Sequence, residues 1–232
     1  MMTDPRYAIY FVPAPDTALY RFGAGALGYD CFTGADMATL DTLPVDAGAW
    51  RELTREPRRY GFHATLKAPF RLAEGRTETE LIGEFVEFSE TIDVAPIIEP
   101  AVRLLQHFVA IVPVAVGAGL DRLAASCVKY FDGFRAPLTG DDRSRRLATH
   151  LTARQIGHVE RWGYPYVFED FRFHMTLTGA LSADRQEPMR AYLQGGLACS
   201  HGDNPIKIDR LALLRQDNPG ARFVVLAHRA IS

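Results

Sequence analysis

The sequence is poor in the features that mark several common function classes. Its 232 residues hold three cysteines, Cys31, Cys127 and Cys199, and no Cys-x-x-Cys pair. So scattered and odd-numbered a set signals neither a zinc site nor a disulfide framework, and reduced thiols in a cytoplasm are the default. No His-Glu-x-x-His and no aspartate cluster with ligand spacing occurs, so no metal or other cofactor is expected. A Walker-type loop is also missing, since Gly23-Ala24-Gly25 lies in a helix-like stretch without a following Gly-Lys. The opening Met-Met-Thr-Asp-Pro-Arg-Tyr lacks an apolar leader core, and no apolar run approaches membrane-spanning length. These absences predict a soluble, cytoplasmic protein with no membrane partner. A basic excess is lacking too, with net charge −2 and pI about 6.4. Proteins that grip long nucleic acid usually carry a strong one, so a small anionic substrate fits better than a long polyanion.

What is present is core-forming material. Hydrophobic residues are 47% and charged residues 23%, close to the soluble average. The length suits one large domain or two fused small lobes.

The chain turns on Tyr60-Gly61-Phe62-His63-Ala64-Thr65-Leu66-Lys67 and its echo Phe171-Arg172-Phe173-His174-Met175-Thr176-Leu177-Thr178, whose histidines lie 111 residues apart. Both copies read Phe-His-apolar-Thr-Leu, and both alternate polar with apolar as a half-buried strand does. Alternation puts His63, Thr65 and Lys67 on one face, and Arg172, His174, Thr176 and Thr178 on one face in the echo. The two pairs predict a single site assembled from both halves. His150-Leu151-Thr152 fits the bare His-x-Thr pattern but lacks the flanking Phe and Leu, and Thr152 reads instead as a helix N-cap.

Around these motifs the pattern repeats. Tyr7 to Pro13 and Phe108 to Val114 are apolar strands that run into proline, and each is followed by a helical stretch, 17–29 with Asp16 as its cap and 116–131. Further helices are expected at 49–55, 77–91, 153–162 and 184–193, the last ended by Gly195-Gly196, with loops at 30–47 and through 150. Short strands are expected at 94–98 and 101–105, and a hairpin over 206–216 and 222–230. The fold class is therefore α+β and bilobal: two similar lobes, each a small antiparallel sheet backed by helices, related by a pseudo-two-fold duplication, with the site in the cleft between them. The lobes divide roughly at 1–105 and 106–232, with exchange of strands between them left open.

Two His-x-Thr motifs on strands of two similar lobes resemble the two-histidine (2H) phosphoesterase superfamily, which includes RNA ligase-like cyclic phosphodiesterases. The resemblance covers essentially the whole chain. The wording Tyr-Gly-Phe-His-Ala-Thr-Leu-Lys-Ala-Pro-Phe further resembles a bacterial branch encoded near phosphonate-degradation genes. It implies His63 and His174 as catalytic residues, Thr65 and Thr176 as phosphate ligands, and no metal requirement.

The residue chemistry fits that implication. Histidine takes either protonation state near neutral pH. Opening a phosphodiester needs a proton removed from water and another given to the leaving oxygen, which two histidines flanking one phosphate can provide. Which of them is base and which acid is not legible. Threonine hydroxyls beside them can donate to the non-bridging oxygens, although threonine is also common in strands for its shape alone. Lys67 and Arg172 either add positive charge to the site or solubilise a strand edge. Tyr60, Arg58 and Arg59 are candidates for contacting the rest of the substrate, while Arg143, Arg145 and Arg146 form either a solvated loop or a lid. His107, His158, His201 and His228 read as surface or loop histidines. The expected activity is hydrolysis of a small cyclic phosphodiester, such as a ribose cyclic phosphate of phosphonate catabolism. The alternatives are a 2',3'-cyclic nucleotide or RNA-end phosphodiesterase, and a non-catalytic module that binds a phosphate ligand or RNA end. Oligomeric state is not legible.

Overall fold

A computed structural model describes residues 5–115, 117–148 and 150–231. In chain order the elements are β1 (Arg6–Phe11), α1 (Ala18–Leu27), β2 (Tyr29–Asp30), β3 (Ala35–Asp36), α2 (Ala47–Leu53), α3 (Arg55–Arg58) and β4 (Ala64–Phe70). Next come α4 (Glu78–Glu90), β5 (Ile97–Ile98), β6 (Pro100–Leu105), β7 (Phe108–Pro113), α5 (Ala118–Tyr130), α6 (Gly140–Leu147) and α7 (Ala153–Trp162). The last are β8 (Met175–Thr176), α8 (Ala183–His201), β9 (Ile206–Lys207), β10 (Arg210–Gln216) and β11 (Val224–Ala230).

The architecture is α+β, with antiparallel sheets and helices packed on them. Seven strands run in the order β11-β10-β1-β4-β8-β7-β6. They form two arms, β11-β10-β1-β4 and β8-β7-β6, which meet where β4 pairs with β8 through Ala64 and Met175. Both residues at that junction are fully buried. The hairpin β10–β11 sits beside β1, and β6 sits beside β7. Strand β1 is apolar on both faces and buried from Tyr7 to Phe11, which explains its uninterrupted hydrophobic run. On the sheet, α5 packs against β4, α8 against β6 and β7, and α4 against β10 and β11.

Several local expectations need correction. The cap of α1 is Thr17, whose hydroxyl accepts from the Tyr20 N–H, not Asp16. Despite its glycines α1 is a full helix, because burying eight of its ten residues outweighs a propensity deficit of about 1 kcal/mol per glycine. Helix α8 does not stop at Gly195-Gly196 but runs on to His201. A Cβ at Gly196 would stand 2.7 Å from the Phe22 ring, so this glycine serves the close approach of α1 and α8 and does not break the helix. The small β2–β3 hairpin begins at Tyr29, expected as the end of a helix, and continues through 30–36, expected as loop.

The segment expected as loop through 150 contains α6. Thr139 caps it by accepting from the Asp142 N–H, Asp141 and Asp142 stand in its first turn, and Arg145 and Arg146 in its last. That charge order favours a helix, yet none of its residues is buried, so no apolar stripe announces it. Thr152 is the N-cap of α7, with Gln155 completing a capping box. Val116, where the helix expected over 116–131 begins, lies outside the described residues.

The second motif departs most from a regular strand. Only Met175–Thr176 is in strand conformation, paired to Ala64 on one side and to Ala110 and Ile111 on the other. Beyond it the N–H groups of Leu177 and Thr178 both go to the Val109 carbonyl, and the Gly179 N–H goes to the Leu53 carbonyl. The backbone is satisfied by partners that do not continue a ladder, so β8 ends there.

Candidate active site

The β4–β8 junction sets the site. Antiparallel pairing of Ala64 with Met175 places Thr65 beside His174 and His63 beside Thr176. Ala64 and Met175 are buried on one side of the junction, and alternation turns the four polar residues to the other. Residues directly opposite have Cβ atoms about 4.5–5.5 Å apart, and diagonal neighbours stand about 7–8 Å apart. His63 and His174 are the diagonal pair.

Each imidazole is held the same way. The Nδ1 of His63 is 2.8 Å from the Gly61 carbonyl, and the Nδ1 of His174 is 2.8 Å from the Arg172 carbonyl. A carbonyl only accepts, so Nδ1 carries the proton in both rings and Nε2 is left for chemistry. In His63 that Nε2 is 3.2 Å from the Thr65 Oγ1, whose hydroxyl donates to it while the ring is neutral.

The carbonyl that holds His63 depends on a glycine. Gly61 has φ +75, and a Cβ there would lie 2.6 Å from the Cys31 Cβ. Tyr10 supports the same ring from β1, stacked on it at 3.9 Å between centroids with planes 24° apart. Burial pushes His63 down to about 4, with the Gly61 carbonyl opposing and the His174 charge adding to the drop. That His174 acts on His63 electrostatically is consistent with the two rings being near one another.

His63, Thr65 and Thr176 line a cavity of about 370 Å³, together with Arg6, Tyr10, Tyr60, Arg145, Arg146 and Tyr164 among others. This is within the usual range of small-molecule clefts. His174 is not among the lining residues; its ring lies 5.8 Å from that of Phe108. Among the described residues no group of three or more His, Cys, Asp or Glu is placed to hold a metal ion.

Other sequence candidates fall differently. Lys67 does not share the face of His63 and Thr65. It is buried, donates to the Val128 carbonyl at 3.0 Å and lies 3.7 Å from Asp132. The cause is a bulge: Tyr10 pairs with Thr65 but Ile9 pairs with Lys67, so one step on β1 matches two on β4. After that extra residue the alternation is inverted, and Lys67 points toward α5. Burial, opposed by Asp132, lowers it to about 8.

Arg172 is exposed and folds back onto the Glu169 and Phe171 carbonyls, outside the cavity lining. Arg58 is also a structural residue. It is buried, and its guanidinium donates to the Leu27 and Arg51 carbonyls, fastening α3 to the end of α1. Arg59 pairs with Glu56 at 3.8 Å and donates to the Pro219 carbonyl. Tyr60 does line the cavity, with its ring 5.4 Å from that of Phe223.

Of the basic cluster, Arg143 turns away to Glu160, whereas Arg145 and Arg146 reach the cavity. His158 is not a surface residue. It lies 3.5 Å from Asp170, with its ring 5.7 Å from that of Phe168. Tyr10, Arg6 and Tyr164 are cavity residues that no motif flagged. The one available signal was period-2 alternation in β1, which puts Arg6, Ala8 and Tyr10 on one face.

Comparison with known proteins adds the following. The chain is similar to the ribose 1,5-bisphosphate phosphokinase PhnN of Janthinobacterium sp. (strain Marseille), at 39% identity over 225 residues, covering 94% of this chain and 49% of that one. It is similar to the protein of the same name from Laribacter hongkongensis (strain HLHK9), at 32% identity over 228 residues, covering 94% and 50%. The chain thus spans about half the length of these curated relatives. Among solved structures it is similar to E. coli LigT complexed with 3'-AMP, at TM-score 0.44 and 13% identity over 99% of both chains. It is similar also to a conserved protein of unknown function, ATU0111, from Agrobacterium tumefaciens str. C58, at TM-score 0.44 and 12% identity over 97% of this chain and 86% of that one. The family model that matches residues 65–224 is described as "Protein of unknown function (DUF1045)", and the chain belongs to that family.

Proposed function

We propose that the chain is a two-histidine phosphoesterase that opens a small cyclic phosphodiester without needing a metal. The observation that carries this reading is the pairing of Ala64 with Met175, which sets two His-x-Thr motifs side by side with mirrored Nδ1 bonds. Phosphate ligation alone does not require two imidazoles that both keep Nε2 available. Hydrolysis does: one nitrogen takes a proton from the attacking water, and the other gives one to the oxygen that leaves phosphorus. The products are a phosphate monoester and a free hydroxyl, and the enzyme's total proton count is unchanged.

The environments favour an assignment of roles. His63, desolvated against Tyr10 and held neutral, suits the base. His174, brought beside it by the Ala64–Met175 pairing, is then the acid. Thr65 and Thr176 donate to the non-bridging oxygens as charge builds on them.

For the substrate we propose a ribose cyclic phosphate of phosphonate catabolism. Water attack on the phosphorus of a 1,2-cyclic phosphate, with the bond from phosphorus to the 2-oxygen breaking and that oxygen taking up a proton, gives a ribose 1-phosphate. The curated relatives are named for ribose 1,5-bisphosphate, a sugar phosphate of that kind. The test is ³¹P NMR of ribose 1,2-cyclic phosphate and of 2',3'-cyclic AMP incubated with the protein, with and without EDTA. A monoester signal from the ribose compound, undiminished by EDTA, is expected. Turnover of the nucleotide alone replaces the substrate, and binding without product from either compound rejects catalysis.

A further inference from the structure

The two imidazoles are held alike, but the carbonyls that hold them are fixed in different ways. Gly61 is buried, its backbone close against Cys31. Arg172 is exposed, and strand pairing begins only at Met175. Something other than a ladder must therefore set the direction of the Arg172 carbonyl, and with it the His174 ring.

The fixed point is Asp170, four residues before His174. Residues 154, 155 and 158 share one face of α7, and their side chains converge on this one carboxylate. Arg154 donates to both oxygens, at 2.7 Å through Nε and 3.0 Å through a terminal nitrogen. Gln155 donates its amide nitrogen at 3.2 Å, while its amide oxygen accepts from the Thr152 N–H in the capping box. His158 brings its Nε2 to 3.5 Å. The Asp170 side chain is 10% exposed, so the carboxylate itself is largely out of water. Arg154 holds it below its ordinary range, with partial burial opposing and Gln155 and His158 adding to the drop.

The turn that presents Asp170 is strained. Phe168 opens a single 3₁₀ turn, Phe168–Asp170, at φ +52, a conformation unfavourable for a residue with a side chain and kept only where neighbours enforce it. Its ring lies 5.1 Å from that of Trp162 and 5.7 Å from that of His158, with the Lys129 ammonium 5.6 Å from its centroid. Ring contacts thus grip one end of the turn and the carboxylate clamp the other. Beyond it the Arg172 guanidinium folds back onto the Glu169 and Phe171 carbonyls at 3.2 and 2.6 Å, and the Arg172 carbonyl accepts from the His174 Nδ1 at 2.8 Å.

We propose that Asp170 is a positioning residue: clamped by Arg154, Gln155 and His158, it fixes the turn before β8 so that the Arg172 carbonyl keeps the proton of His174 on Nδ1 and leaves Nε2 for the substrate. The consequence for turnover rests on the phosphoesterase reading; the consequence for the ring does not. A reacting group misplaced by about 1 Å can cost on the order of 10²-fold in rate.

The experiment reads the His174 ring directly in the full chain. Long-range ¹H–¹⁵N NMR above neutral pH, with the signals assigned by their loss in His174→Ala, shows which ring nitrogen carries the proton. The wild type should hold the Nδ1–H form over the other by about tenfold, and Asp170→Asn should bring the two forms to within about threefold. Arg154→Gln should move the ratio the same way. Glu160→Gln, on α7 but paired with Arg143, should leave it unchanged. On a cyclic phosphate, kcat should fall about 10–100-fold in Asp170→Asn while KM stays within about threefold, because the substrate's own contacts are untouched. A role in stability alone would lower Tm and leave the ring and kcat of the folded protein unmoved. If the wild type opens no cyclic phosphate, the phosphoesterase reading falls and the NMR comparison alone decides the clamp. Should Asp170→Asn fail to fold, Arg154→Gln carries the test, because Arg154 is 57% exposed. Mixed ring forms already in the wild type, a ratio unmoved in the folded variants, or an unchanged kcat in those variants of an active protein overturns the proposal.

Discussion

Ala64 faces Met175 across the junction of the two arms, middle residue of one motif against middle residue of the other. This register puts the local two-fold between them, so each histidine gains the threonine of the opposite copy as its cross-strand neighbour. A slip of one residue would turn one motif's histidine and threonine to the buried side. The geometry of the proposed site is thus a property of strand pairing, with Gly61 and Tyr10 refining the position of one ring.

Gly61 should therefore be unusually intolerant. Gly61→Ala imposes a side chain at φ +75 and a contact of 2.6 Å with Cys31, and should lose about 2–4 kcal/mol in urea denaturation. Gly83→Ala, in α4 with nothing within 4 Å of the new Cβ, should instead gain up to about 1 kcal/mol. Matching midpoints for the two variants would contradict this account of Gly61.

The lowered His63 value makes a signed statement about pH. The ring ordinarily titrates at 6.5 but is held to about 4 in the folded chain. Between these values the unfolded chain takes up a proton that the folded one refuses. This contribution to stability is complete above 6.5, falls as pH drops through that window and levels off below about 4. His63→Ala should lack this slope. Thermal midpoints measured from pH 7 to 4 should converge between the two proteins as the pH is lowered. Parallel curves would show that His63 is not desolvated.

Lys67 is a test of the bulge. Lys67→Met removes a buried cation but does not strand Asp132, which keeps Arg135 at 2.8 Å and Arg161 at 3.1 Å. Stability should change by no more than about 2 kcal/mol in either direction, and turnover should be largely retained. A loss of turnover as deep as that of His63→Ala would place Lys67 in the reaction.

The sequence was most legible where a local period governs. The two motifs, the paired apolar strands and the amphipathic helices α4, α5 and α7 all announce themselves within a few residues. Lys67 misled because a bulge inserts one residue, and a period of two carries no mark of it. Helix α6 was silent because it buries nothing, and α8 was cut short because Gly196 reads as a stop until Phe22 is seen beside it. Arg6, Tyr10 and Tyr164 reach the cavity from β1 and from the turn after α7, so only the tertiary fold unites them with His63.

The central claim is that His63 and His174 act on one phosphate as a unit. The most direct measurement is kcat/KM on the preferred cyclic phosphate for His63→Ala, His174→Ala and the double variant. If the two rings share a single transition state, each single change should cost at least about 10²–10⁴-fold, and the double change little more than either alone. Full turnover in either single variant, or losses that simply multiply in the double, would contradict it.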